Sequence, residues 1–322
     1  MISIDMIIDA DGHYTPNPDI FKQDPVIADW AQAYHERKGE SYSTIQQRNQ
    51  ELLKLGLDQQ LLNHMGISLG IDYLIEPQVG IRVARLYNDH MKEVCQDHRY
   101  DWNLWLPLQD RDSAFQELQR HDPNSYFAIF LSDATQWGFI KNMDRIFDYA
   151  QQHRIPLYLH QTHMEDYLPI DQEFYVTQSQ LNDIFSIQHH FWKKTLASLF
   201  CSGVFEQYPN LRFVVAERDI HWVPDFLSTL INAGLGDYGQ VMRNNFWYTI
   251  EPEMPHFLHM AQELGYDRLL FATDWPHERD MGGSNSRQDV STMYALPISE
   301  SARQAIFSDN YNFLKQKLDY VK

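Results

Sequence analysis

Ile7-Ile8-Asp9-Ala10-Asp11-Gly12-His13 decides how the rest of the chain is read, because an apolar strand there runs out into a carboxylate and an imidazole. The same ending recurs three times. Ile155-Pro156-Leu157-Tyr158-Leu159-His160 stops on an imidazole, and Leu211-Arg212-Phe213-Val214-Val215-Ala216-Glu217 stops on a carboxylate. Leu269-Leu270-Phe271-Ala272-Thr273-Asp274 stops on another. A parallel barrel builds its active site in this way, from side chains at the carboxyl ends of several strands.

Working outward, short apolar runs alternate with helically spaced segments, the pattern of parallel βα units. Strands are predicted at 3–9, 71–76, 102–108, 126–131, 156–160, 211–217, 246–251 and 268–273. Helices are predicted at 81–97, 112–120, 142–153, 188–206, 222–233, 254–264 and 299–317. Tyr208-Pro209-Asn210 and Gly265 end two of the helices. Eight strands with helical crossovers predict an α/β fold, a (β/α)8 TIM barrel. No glycine-rich phosphate loop follows the first strand, as an open doubly wound sheet would usually show. Residues 14–70 form an insertion after the first strand, with helical spacing from Leu52 through Leu62 to Met65. It is either a lid over the mouth or plain helical decoration. The segment from Gly234 to Asn245 is predicted to be a glycine-rich loop. The whole chain, 1–322, is expected to be one domain.

The balance of 26 Lys+Arg against 44 Asp+Glu gives a net charge of -18, which argues against nucleic acid or an anionic membrane as partner. With only two cysteines, Cys95 and Cys201, no disulfide framework is expected, and a cytoplasmic location suits this. Cys201 is expected in the core. The opening residues read as a strand rather than a signal peptide, and no apolar run has the length of a membrane span.

Asp11 and His13 stand at i and i+2, so on an extended strand both face one way and can reach a single metal. His160 is a metal candidate for the same strand-end reason, with His163 beside it. Asp274 needs a partner if it is buried, and on a metal it can take a proton from bound water. Glu217 can ligate a metal, orient a water or hold Arg218. His277 is close enough to Asp274 to support it or to touch substrate.

These motifs resemble the amidohydrolase superfamily, in the branch related to aminocarboxymuconate-semialdehyde decarboxylase ("amidohydrolase-related", family 2). The likeness rests on Ile8-Asp9-Ala10-Asp11-Gly12-His13, Leu157-Tyr158-Leu159-His160, the run from Gly203 to Glu217 continuing through Ile220-His221-Trp222-Val223-Pro224, and Phe271-Ala272-Thr273-Asp274-Trp275-Pro276-His277. A closing Ile306-Phe307-Ser308-Asp309-Asn310 adds to it. The resemblance implies a barrel holding one divalent metal, with Asp11 and His13 as the strand-one ligands, His160 as the strand-five ligand and Asp274 as the strand-eight carboxylate. It also implies either hydrolysis of C–N or C–O bonds or non-oxidative decarboxylation.

Two features depart from the family. Asp11 stands where histidine is commoner, so manganese or iron becomes plausible beside zinc. Glu217 stands where a strand-six histidine usually serves as acid or base, and His221 is a candidate replacement. With His190 added, the donor set also suits two irons and oxygen chemistry.

The expected activity is metal-dependent hydrolysis by an activated water, with Asp274 as base helped by Glu217 or His221. Decarboxylation is the alternative. A catalytically inactive binding barrel is a third reading, against which the retained strand-end donors argue. The substrate is expected to be a small molecule, aromatic or carboxylated, to judge from Tyr14, Trp30, Trp137 and Trp275 and from Arg82, Arg85, Arg218 and Arg279. A homodimer is the common state for such enzymes.

Overall fold

The computed structural model describes residues 6–38, 44–64, 77–132, 143–160, 193, 195–217, 222–252, 258, 261, 264–276 and 286–317. Nine parallel strand segments fill eight positions of a (β/α)8 barrel: β1 (Ile8–Tyr14), β2 (Gln59–His64), β3 (Tyr100–Trp102), β4 (Leu104–Trp105), β5 (Ile129–Ser132), β6 (Leu157–His160), β7 (Phe213–Val215), β8 (Phe246–Ile250) and β9 (Leu269–Phe271). β3 and β4 are one strand interrupted at Asn103. Trp102 accepts from the Phe127 amide at 2.8 Å, and the Leu104 amide donates to Ala128 at 2.8 Å, so both halves reach the neighbouring strand. The last strand returns to the first, where the His13 amide donates to the Trp275 carbonyl at 2.8 Å.

Two cores follow from the alternation of side chains across the strands. Ile8, Ala10, Leu61, Phe130, Tyr158, Val214, Trp247 and Leu270 fill the inside of the barrel, with Tyr311 and Leu314 beneath them. The larger core lies between the strands and the surrounding helices. Among the described residues no helix is long and apolar enough to cross a membrane.

The insertion after β1 is helical only in part. Ala28–Lys38 and Ile45–Leu55 are helices, the second opened by a Thr44/Gln47 capping box. It closes at Gly56, whose φ of 75° lets its amide bond back to the Leu52 and Leu53 carbonyls. Beyond Gly56, Leu61 and Leu62, predicted to continue the helix, instead lie in β2. The expected second strand at 71–76 lies outside the described residues. β1 likewise begins later than predicted, so that Asp11 and His13 lie within the strand. Gly239–Asn245, expected as loop, is a short helix. Cys201 is exposed, not buried, because it sits in the last turn of its helix before Gly203.

Glu117 ties the helices Pro77–Val94 and Arg111–Arg120 to β4. Its Oε1 accepts from Asn88 Nδ2 at 2.9 Å, Arg120 Nη2 at 2.7 Å and His121 Nε2 at 3.0 Å. Asn88 in turn donates to the Trp105 carbonyl at 2.8 Å. Burial alone would raise the Glu117 carboxyl, but the bonds from His121, Arg120 and Asn88 outweigh it and bring it down to about 2 from 4.5. The folded state therefore gains stability that is complete above pH 4.5 and is lost as the pH falls toward 2. The gain is roughly 3 kcal/mol. Glu117→Gln should remove most of it at pH 6.5 and very little at pH 2.5, as read by urea unfolding. Identical pH slopes in the two proteins would show that the pairing carries no stability.

Candidate metal centre

A β-bulge aims the first two metal-capable side chains. In the pairing of β1 with β2, Asp9 lies opposite Gln60 and Gly12 opposite Leu62, so Ala10 and Asp11 together oppose Leu61. Ile8 and Ala10 face the barrel interior, and the extra residue then switches the face so that Asp11 and His13 turn inward above them. The backbone groups freed by the bulge are satisfied. Tyr158 OH donates to the Ala10 carbonyl at 2.8 Å, and the Asp11 amide donates to Asp9 Oδ1 at 3.0 Å.

β6 brings in His160 one pleat above Tyr158. Glu217 and Asp274 follow β7 and β9 in left-handed backbone, at φ of 53° and 52°. That region is uncommon for residues other than glycine, and held outliers of this kind concentrate where a side chain must be presented in one direction. The Glu217 amide donates to Thr249 Oγ1 at 3.3 Å.

Five side chains meet as a result. His13 Nε2 lies 2.9 Å from Asp274 Oδ1, 3.0 Å from Glu217 Oε1 and 3.9 Å from Asp11 Oδ1. His160 Nε2 lies 3.1 Å from Glu217 Oε1 and 3.8 Å from Asp11 Oδ1. Asp11 and His13 are each 1% exposed, whereas the Glu217 side chain is 11% exposed and that of Asp274 25%. Asp274 is thus the member that opens toward the mouth.

Burial, with Glu217 and Asp274 adding to it against the opposing charges of His160 and His13, lifts the Asp11 carboxyl to about 7. Burial would lower His13, yet its bonds to Asp274 and Glu217 hold it well above the ordinary imidazole range. His160 is raised too, against its burial, chiefly by the charge of Glu217. Three carboxylates crowded at this depth need positive charge between them, and within the cluster the imidazole protons supply it. Asp11, His13 and His160 each offer an atom within 4.8 Å of the others, and so do His13, Glu217 and Asp274. The mixture of carboxylate oxygen and imidazole nitrogen fits a divalent metal.

Several supporting residues were not singled out in the sequence. Asn63 donates to Asp11 Oδ1 at 2.6 Å and accepts from Asn103 Nδ2 at 2.6 Å. Asp9 joins β1, β2 and β9 by accepting from Gln60 Nε2 at 2.6 Å, Thr273 Oγ1 at 2.7 Å and the Thr273 amide at 3.1 Å. Asn63 and Gln60 lie in β2, which helical spacing concealed. Of the predicted site residues, His163, His190, Arg218, His221 and His277 lie outside the described residues, as do Trp137 and Arg279. Arg82 pairs with Asp24 at 2.6 Å. Tyr14 bonds His90 at 3.0 Å and Trp30 packs on Phe21.

The profile of the family described as "Amidohydrolase" matches residues 8–310. The chain belongs to the amidohydrolase family. This amidohydrolase is 26% identical over 303 residues to gamma-resorcylate decarboxylase of Rhodococcus jostii (strain RHA1), covering 80% of this chain and 84% of that protein. Its fold is similar to that of 2,6-dihydroxybenzoate decarboxylase from Rhizobium, with a TM-score of 0.72 at 20% identity, covering 96% of this chain and 98% of the other. It is also similar to dihydroxybenzoic acid decarboxylase from Polaromonas sp. JS666, solved with bound manganese and the inhibitor 2-nitroresorcinol. There the TM-score is 0.68 at 18% identity, with 96% of each chain covered.

Proposed function

We propose that this amidohydrolase is a metal-dependent, non-oxidative decarboxylase of a small hydroxy-aromatic acid. The sequence ranked that reading second, behind hydrolysis. The observation that carries it is the likeness to the Rhodococcus jostii decarboxylase across four-fifths of the chain, together with a donor cluster at the barrel mouth. Asp11, His13, His160 and Asp274 hold one divalent ion in this reading, with Glu217 between the two imidazoles. The two donor triads share His13, which favours a single centre, while His190, the further donor of the two-iron reading, lies outside the described residues. Such an ion supplies a Lewis-acid anchor for a carboxylate and a neighbouring hydroxyl oxygen.

The chain's own residues manage the proton. A carboxyl group has two oxygens, so Asp274 can ligate with one and carry a proton on the other. From its place nearest the mouth, Asp274 gives that proton to the ring carbon bearing the substrate carboxylate. The bond from that carbon to the carboxylate then breaks, its electron pair returns to the ring and carbon dioxide leaves. Asp274 recovers a proton from solvent. Glu217 Oε1 lies 3.0 and 3.1 Å from the Nε2 atoms of His13 and His160, so once those nitrogens hold the ion Glu217 would face the ion itself rather than hydrogen-bond the imidazoles. Asn63 fixes one of the Asp11 oxygens. The near-complete burial of Asp11 and His13 keeps water off that side of the centre.

The test is to incubate manganese-loaded protein with a panel of ortho-hydroxybenzoic acids and follow carbon dioxide and the decarboxylated phenol. Release of both, lost on chelation and restored by manganese, is the expected result. Turnover of esters or amides with no decarboxylation of any acid would return the assignment to hydrolysis.

A further inference from the structure

A cavity of about 470 Å³ opens on the face of the barrel opposite the metal-capable cluster, at the amino ends of the strands. Three arginines line it. Arg154 caps the helix Asp144–His153 just before β6, Arg212 directly precedes β7, and Arg268 directly precedes β9. Trp247 and Phe313 line it as well, and among the described lining residues none is acidic.

The arginines are only partly provided for. The Arg212 guanidinium lies 4.8 Å from the centre of the Phe313 ring, and that of Arg268 lies 4.7 Å from Trp247. Stacking of this kind engages the flat face of a guanidinium and leaves its in-plane N–H groups to find acceptors elsewhere. Arg268 finds them in the Arg243 carbonyl and in Asp267, 3.1 Å away. Arg212 Nη1 is buried with no hydrogen-bond partner. Arg154 and Arg212 both line the cavity, and burial and the like charge of Arg154 lower the Arg212 pKa. Arg154 makes no ion pair among the described residues, and its backbone holds a left-handed φ of 55°. Like charges brought together over a cavity are costly unless an anion joins them. In a chain of net charge -18, such a spot is not the product of overall composition.

We propose that this cavity binds a small anion carrying at least two negative charges, a phosphate group or a dicarboxylate, held between Arg154 and Arg212 with Arg268 contributing. The guanidinium fork matches both kinds of oxyanion. The cavity lies across the barrel from the metal cluster, so such an anion is a separate ligand from the substrate. The inference does not depend on the decarboxylase assignment.

The experiment is calorimetric titration of manganese-loaded protein with inorganic phosphate and, separately, with succinate, against potassium chloride at matched ionic strength. A metal centre can also bind anions, so the deciding comparison is with Arg154→Gln and Arg212→Gln at equal manganese content. Wild type should bind one equivalent that both variants weaken at least about tenfold. Arg154 is exposed, so its variant keeps the fold even if loss of the half-buried Arg212 does not. Binding of phosphate alone identifies a phosphoryl ligand, and binding of succinate alone a dicarboxylate; either supports the site. No heat beyond the chloride control, or binding undiminished in Arg154→Gln, would overturn it.

Discussion

Replacing Asp274 by asparagine should lower turnover by about 10³-fold while leaving the fold and its melting temperature close to wild type. Asparagine has the same shape and tolerates left-handed backbone, so the φ of 52° at this position persists. It still offers an oxygen toward His13, whose Nε2 lies 2.9 Å from Asp274 Oδ1. What it lacks is a proton that can be given up and regained, and with it the negative charge. Metal analysis of the variant separates the two roles. Full manganese content with lost turnover assigns the loss to proton transfer, while lost manganese assigns it to ligation. Near-normal turnover would sink both roles for Asp274 and move the acid to another residue.

The strand endings were legible in the sequence because carboxylates and imidazoles directly after buried apolar runs have few inexpensive explanations. Ile7 to His13, Leu157 to His160, Phe213 to Glu217 and Leu269 to Asp274 are brought by the fold to one mouth, as the parallel-barrel reading required. β2 was not legible, for a physical reason. Its two leucines continue the spacing of Leu52 and Leu55 in the preceding helix, and the residues that mark it as an interior strand are polar. Gln60 and Asn63 are each 0% exposed, held there by hydrogen bonds to Asp9, Arg48, Asp11 and Asn103 that no hydropathy pattern records. The one local signal was Gly56, a helix stop standing among the leucines. The bulge was hidden for a similar reason. Alternation alone places Asp9, Asp11 and His13 on one face, whereas Asp9 is turned away to join β1 to β9.

That bulge makes Gly12→Ala a strongly damaging substitution. Gly12 needs no unusual backbone angle; what it needs is room. A Cβ there would lie 2.2 Å from Gln60 Nε2 and 2.3 Å from Gln60 Cδ. A side-chain end can often swing aside, but Gln60 is fixed at both of its polar atoms. Its Nε2 donates to Asp9 Oδ2 at 2.6 Å and its Oε1 accepts from Arg48 Nε at 3.0 Å. Arg48 is 1% exposed and lies 4.7 Å from the centre of the Trp275 ring, so it has no route to water. Moving Gln60 therefore adds the strain of overpacking to the cost of stranding a buried guanidinium and weakening Asp9. Together these cost about 4 kcal/mol, or roughly 5–10 °C in melting temperature. Because Asp11 and His13 flank Gly12, the same displacement misaligns two of the proposed metal donors, and manganese affinity should fall with stability. Thermal unfolding and metal content of Gly12→Ala are the measurements. A melting temperature within about 1 °C of wild type, with full manganese, would mean that Gln60 is free to move and that the bulge is not held as described.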